Sequence, residues 1–272
     1  EIEVISGTRV GGIISQNTTW TKEGTPYIIT DTIQIPLGIK LTINSGVVVN
    51  MPTSGDMFLI NGEIYAHGIP TEKIIFDGGN NSNFFNPKSS TIETFLDLEY
   101  CKIANGKSFW PTSGYKQNGA FSIRHCILEN LSSYSCIWYP EKNTYIEYNK
   151  FVSTGGFSVK LLGDIKVYIR YNLFDTKYPY LHEYNDYCIQ NSASFHTSET
   201  IVKYNSFLNM DGFVLKLPTG NDYSSMSATE NYWGTQDITA IENMIYDKND
   251  DVTCAGYIQY EPILTEPHPD VP

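Results

Sequence analysis

Six stretches of the chain align without gaps: Leu98-Glu-Tyr-Cys-Lys-Ile103, Ile123-Arg-His-Cys-Ile-Leu128, Ile146-Glu-Tyr-Asn-Lys-Phe151, Ile169-Arg-Tyr-Asn-Leu-Phe174, Val202-Lys-Tyr-Asn-Ser-Phe207 and Ala228-Thr-Glu-Asn-Tyr-Trp233. Their fourth positions are Cys101, Cys126, Asn149, Asn172, Asn205 and Asn231, separated by 25, 23, 23, 33 and 26 residues. A period this short excludes propeller blades, and the absence of a 3.6-residue apolar pattern excludes helical repeats. One architecture accommodates it: a parallel β-helix, in which each repeat is a coil of short strands and equivalent residues stack about 4.8 Å apart.

Each column of this alignment has one chemical character. Leu98, Ile123, Ile146, Ile169, Val202 and Ala228 form an inward apolar column, and Ile103, Leu128, Phe151, Phe174, Phe207 and Trp233 a second core stack. Glu99, Arg124, Glu147, Arg170 and Lys203 mostly alternate in sign, as favourable cross-strand pairs on a solvent face do. Tyr100, His125, Tyr148, Tyr171 and Tyr204 stand one residue before the Asn ladder, where they either stack structurally or present an aromatic strip. The Asn amides are placed to bond to the next coil and to the turn backbone.

A second strand per coil is expected at residues 135–139, 157–161, 187–191 and 213–217. Upstream, residues 27–76 alternate apolar and polar between Gly-containing turns and read as the first coils. Solenoid ends need caps. At the C-terminal end, Ile238, Ile241, Met244 and Ile245 at helical spacing behind Asp237 predict a capping helix over 237–247, followed by a strand over 256–263. The expected organisation is all-β: a single right-handed parallel β-helix domain over 1–264 with N-terminal cap strands and a short C-terminal capping helix. Residues 265–272, with Pro267, Pro269 and Pro272, read as a Pro-rich tail or linker to a larger parent.

Composition narrows the function. Lys+Arg total 18 against 30 Asp+Glu, a formal charge of −12, which argues against nucleic acid and anionic membranes as partners. No apolar run approaches the ~20 residues of a membrane span, so membrane insertion is not expected. The chain opens without a charged-then-apolar leader, so an export signal is expected to have been removed already. Aromatic residues make up 14% and charged residues only 18%, with 22 Asn, a surface chemistry common in secreted all-β proteins. Five cysteines are too few for a disulfide scaffold and read as small buried residues.

These motifs resemble the right-handed parallel β-helix repeat proteins of the pectate-lyase-like superfamily. The likeness covers roughly residues 13–264: Asn17-Thr-Thr-Trp20, Gly38-Ile-Lys-Leu-Thr-Ile43, Ser45-Gly-Val-Val-Val49, the Asn-ladder coils, and Glu230-Asn-Tyr-Trp-Gly-Thr235. The resemblance implies a carbohydrate-facing extracellular protein and leaves the reaction open, since such folds include lyases, epimerases, glycosidases, tailspikes and adhesins. Among adhesins the chain is similar in general architecture and aromatic loops to the cellulose-binding tapirins.

Candidate binding residues lie in two aromatic insertions and the segment between them. Residues 107–116 contribute Phe109, Trp110 and Tyr115, and residues 175–187 contribute Tyr178, Tyr180, Tyr184 and Tyr187. Tyr134, Trp138 and Tyr139 complete the set. Sugar C–H faces stack on such rings; the alternative is that the loops fold back and bury them. A lyase would use the second-strand face near Lys160, Asp186 and Lys216, the two lysines reading as matching outward positions. A glycosidase would need two facing carboxylates, for which Asp164, Asp175, Glu183, Asp186 and Asp211 are candidates without a repeating pattern. Asp247-Lys-Asn-Asp-Asp251 begins like a calcium loop but lacks its glycine and distal glutamate, so a solvated turn is expected and no cofactor is assigned. The resulting expectation is a monomeric, secreted or cell-surface, non-catalytic domain binding a neutral polysaccharide such as cellulose. The alternatives are a polysaccharide lyase or hydrolase and a structural spacer or spike segment.

Overall fold

The chain winds into a parallel β-solenoid of about seven turns in this computed structural model. The structure describes residues 7–51, 54–79, 82–87, 94–111, 119–140, 142–161, 164–176, 187–193, 199–210, 212–220 and 226–272. Three parallel sheets of eleven, nine and five strands form its walls. One coil shows the pattern: Thr144–Glu147 lies in the nine-stranded sheet, Lys150–Thr154 in the eleven-stranded sheet and Phe157–Lys160 in the five-stranded sheet.

The register follows the columns read from the sequence. Leu98 pairs with Ile123, Ile123 with Ile146, Ile146 with Ile169, and Ile169 with Val202, all fully buried. Phe151, Phe174 and Phe207 stack at 4.7 and 5.3 Å between ring centres, and Trp233 continues the stack.

The Asn ladder is fully bonded. Asn172 Oδ1 accepts from the backbone N–H of Asn149 (2.9 Å) and from Asn149 Nδ2 (3.0 Å). Its own Nδ2 donates to Ile146 O (2.8 Å) and Asn205 Oδ1 (2.9 Å). Asn205 repeats the pattern on Asn231, and Cys126 N–H donates to Asn149 Oδ1 (2.8 Å). Cys126 Sγ then stands in for an amide oxygen, 3.4 Å from the Cys101 N–H. Asn149, Asn172, Asn205 and Asn231 have no exposed surface, so each side chain closes a corner that would otherwise bury unpaired peptide groups.

The residue before each ladder position is left-handed: φ is 48° at Tyr100, 53° at His125, 57° at Tyr148, 56° at Tyr171 and 61° at Tyr204. The sharp corner demands that geometry, and the rings stack at 4.7 to 5.0 Å centre to centre. The charge column closes on Glu147, whose carboxylate accepts from Arg124 Nε (3.2 Å) below and Arg170 Nε (2.9 Å) above.

Four expectations are corrected. The C-terminal helix spans only Ile238–Glu242, with Asp237 Oδ1 accepting from the Thr239 and Ala240 N–H groups. Ile245–Tyr246 leaves it to pair with Phe213–Lys216, because a sheet edge satisfies more backbone than one extra turn of a short helix. Residues 256–263 form no continuous strand: one bridge joins Gln259 to Ser227, Gln259 O and Pro262 O accept from the Ala228 and Glu230 N–H groups, and Pro262 has no N–H to donate. In the five-stranded sheet Phe157 pairs with Ile189, two residues beyond the expected Tyr187, and a bulge follows at Val159 and Lys160. Lys216 is therefore in line with Gln190 and Ser158, and Lys160 lies two residues further along. The two lysines do not share a column. Finally, residues 107–110 are a rung of the wall: Ser108 O and Phe109 O accept from the Phe84 and Phe85 N–H groups, and Trp110 O accepts from Cys136 N–H.

Candidate ligand cleft

Side chains on the outer face of the nine-stranded sheet form columns because successive strands are in register. One column runs Thr42, Tyr65, Asp97, Ser122, Tyr145, Tyr168 and Ile201. It carries a ring on the coils below and above but none at Asp97 and Ser122. In the adjacent column Phe95 is followed by Ala120. Small residues between tall ones leave a depression over the strand Gly119–Arg124, a cleft of about 540 Å³. That volume falls within the range of small-molecule sites.

Phe95 and Asp97 form one wall, Tyr145 and Arg124 the other. The Arg124 guanidinium lies 5.1 Å from the Tyr145 ring centre, tied down by Glu147. Lys142 sits over Phe95 at 5.7 Å. Asp97 Oδ2 lies 3.0 Å from His67 Nε2. Asn143 is held at the rim, its Oδ1 accepting from the Lys166 N–H at 2.9 Å, and Ile165 lies beside it. On the floor, Ser122 is 4% exposed and its Oγ has no hydrogen-bond partner among the described residues. A buried hydroxyl left this way costs roughly 1–3 kcal/mol, and with no accessible surface on its oxygen it is part of the packed floor and not a group offered to a ligand. Burial pushes the Tyr65 phenol up, helped by Glu63 and Asp97, so it stays a neutral donor beside the cleft.

The residues expected from the sequence lie elsewhere. Phe109 and Trp110 are 1% exposed and pack on Phe121 at 5.3 and 5.0 Å, so they build the core and offer no face to a ligand. Tyr187 is buried at the start of the strand Tyr187–Ala193. Tyr134, Trp138 and Tyr139 are half-buried, and the Lys160 ammonium lies over the Trp138 and Tyr139 rings at 6.0 and 5.4 Å. They belong to the region of the five-stranded sheet, away from the cleft. Tyr115, Tyr178, Tyr180 and Tyr184 lie outside the described residues, as do Glu183, Asp186 and Asp211. Asp175 accepts from Asn209 Nδ2 at 2.9 Å as part of a separate corner. In the calcium-like turn, Asp247 accepts from the Asn249 and Ile258 N–H groups at 2.8 Å, and Asp251 from that of Thr253. Those carboxylates close backbone turns.

Comparison with protein-family models, with curated proteins and with solved structures finds no match to this chain. The class defined by the coordinates is a parallel β-solenoid repeat protein, with a cleft over Ser122 on its nine-stranded face.

Proposed function

We propose that this solenoid is a non-catalytic carbohydrate-binding domain of an extracellular or cell-surface protein, and that it takes a neutral sugar in the cleft over Ser122. The observation that carries the reading is the interrupted ring column: Phe95 and Tyr145 stand on either side of the depression left by Ala120 and Ser122, with Asp97, Arg124, Lys142 and Asn143 as the polar groups of its lining. Apolar ring surface with a few convergent donors and acceptors is what a pyranose requires, C–H faces against rings and hydroxyls toward polar groups. Arg124 and Lys142 against Asp97 give the lining mixed charge, and the formal charge of −12 repels polyanions, so a neutral glycan fits better than an acidic one. The solenoid scaffold is consistent with this use without requiring it.

The test is a binding screen over neutral plant glycans, soluble and insoluble, with Phe95→Ala and Tyr145→Ala beside the parent chain. Retention that both variants abolish supports the reading; retention unchanged in both refutes it. Trp110→Ala reports on the core instead, because that ring is internal. Release of unsaturated or reducing sugars from any polymer in the screen would move the assignment to an enzyme.

A further inference from the structure

We infer that Cys101 and Cys126 close into a disulfide when the chain folds in the presence of a disulfide oxidant, making a covalent rung between two neighbouring coils. The inference is independent of the sugar-binding reading.

The pairing is set by register. Glu99 lies opposite Arg124 and Lys102 opposite Ile127, so Cys101 and Cys126 face each other on adjacent coils. Residues in that relation are about 4.8 Å apart, inside the roughly 4.4–6.8 Å that the Cα atoms of a disulfide span. The two side chains also meet: Cys101 is hydrogen-bonded to the Cys126 thiol, whose Sγ lies 3.4 Å from Cys101 N. Both residues are buried.

This is the place where the Asn ladder runs out. Each amide rung carries two hydrogen bonds from one coil to the next, as Asn149 does to Asn172 Oδ1. The rung between Cys101 and Cys126 has only weak contacts to sulfur, and below it the column ends at Ile74. A covalent bond supplies there what the amides supply above. Oxidation strips no neighbouring carbonyl of its partner. Glu99 O and Arg124 O, which the thiols touch at 3.4 and 3.1 Å, accept from the Gly68 and Tyr100 N–H groups as well. The rung would also tie the strand Thr94–Glu99, which carries Asp97, to the strand Gly119–Arg124, which carries Ser122, and both line the cleft. The other three cysteines have no such partner: Cys136 faces Ser158, Cys188 shares a rung with Gly156, and Cys254 is bridged to Thr219.

The chemistry is two successive exchanges with oxidised glutathione, made before the coils bury both sulfurs. The Cys101 thiolate attacks one glutathione sulfur and expels a glutathione thiolate. The Cys126 thiolate then attacks the Cys101 sulfur of the mixed disulfide, and the second glutathione leaves. One S–S bond is broken and one formed, and the two cysteine protons end on the two glutathione thiols.

The experiment refolds the full chain from urea in a glutathione redox buffer or in dithiothreitol and counts free thiols after denaturation. All five are expected from dithiothreitol, and five less the joined two from the redox buffer, in a monomer lighter by two hydrogens. Fragmentation of the linked tryptic peptides 89–102 and 125–142 places the bridge on Cys126 and not on Cys136. Closing this loop is expected to raise the urea midpoint by about 1 M, a gain that reduction before unfolding removes. Cys126→Asn, which extends the ladder by its own residue, is expected to show the same thiol count in both buffers and no such gain. If that variant does not fold, Cys126→Ser takes its place. An equal thiol count in both buffers, a bridge to any other cysteine, or a bridge between two chains overturns the inference. So does a bridged chain no more stable than the reduced one.

Discussion

Replacing Asn172 by alanine removes four hydrogen bonds from a site with no exposed surface. The Asn149 N–H is left inside the corner without its acceptor, at about 1–3 kcal/mol. The other three bonds cost less, about 0.5–1 kcal/mol each. Asn149 Nδ2 still reaches Ile123 O, and Asn205 Oδ1 still accepts from the residue 172 backbone. The expected loss is about 3–5 kcal/mol, a large share of the stability of an ordinary domain. Urea unfolding followed by circular dichroism measures it, with an unchanged slope confirming that the same cooperative unit melts. Asn172→Cys is expected to cost clearly less, because Cys126 already fills this column and its sulfur meets the Cys101 N–H at 3.4 Å. Asn209→Gly, exposed, bonded only to Asp175 among its described hydrogen bonds and at a φ of 51° that glycine accepts, is the control and should cost about 0.5 kcal/mol. A cost below about 1 kcal/mol for Asn172→Ala at constant slope would falsify the view that the ladder is a main source of stability.

Gly156→Ala should cost about 3 kcal/mol or more, read as a fall in urea midpoint, because its Cβ would meet Cys188 O at 2.3 Å and Tyr187 O at 2.5 Å. Those are backbone atoms of the next coil and cannot swing aside; a near-neutral substitution would refute the close coil contact. Glu147→Gln should cost about 1–2 kcal/mol, discounted because Arg124 and Arg170 are about a third exposed, and the deficit should shrink with added salt. A salt-independent deficit would assign the effect to packing. Burial pushes the Cys136 thiol up to about 12. Cys136 should therefore resist a disulfide reagent at pH 8 in the folded protein, the other four are shielded by burial, and all five should react after denaturation of the reduced protein. Since the folded pKa exceeds the unfolded value of ~8.5, this contribution is complete below about pH 8.5 and is lost as pH rises toward 12. Stability that rises over that range would contradict the burial.

The coils were legible because parallel stacking puts residues one turn apart into one environment, so Asn149, Asn172 and Asn205 had to be alike. The 33-residue step to Asn205 did not blur the pattern, since the extra residues leave the column intact on both sides. The cleft was harder to see because its mark is a missing side chain. Extending the six-residue alignment one position toward the N-terminus reads Asp97, Ser122, Tyr145, Tyr168 and Ile201, and the gap in rings is then visible. Phe109 and Trp110 misled because the second-strand column reads only from Ser135 onward in the sequence; their rung lies one coil below it, Trp110 O accepting from the Cys136 N–H, and without a matching pattern a bulky apolar run reads equally well as loop or wall. The helix over 237–247 matched helical spacing, but periodicity does not show that a sheet edge waits beside Ile245.

The one-turn step from Asn149 to Asn172 has a practical corollary. Both faces of that 23-residue course of masonry offer the same bonds, so a copy of residues 149–171 inserted after itself should seat as an additional layer. Such a chain would be taller by about 4.8 Å, with the cleft beneath it untouched. Height and the shape of the cleft are thus separable quantities in this molecule, adjustable one without the other.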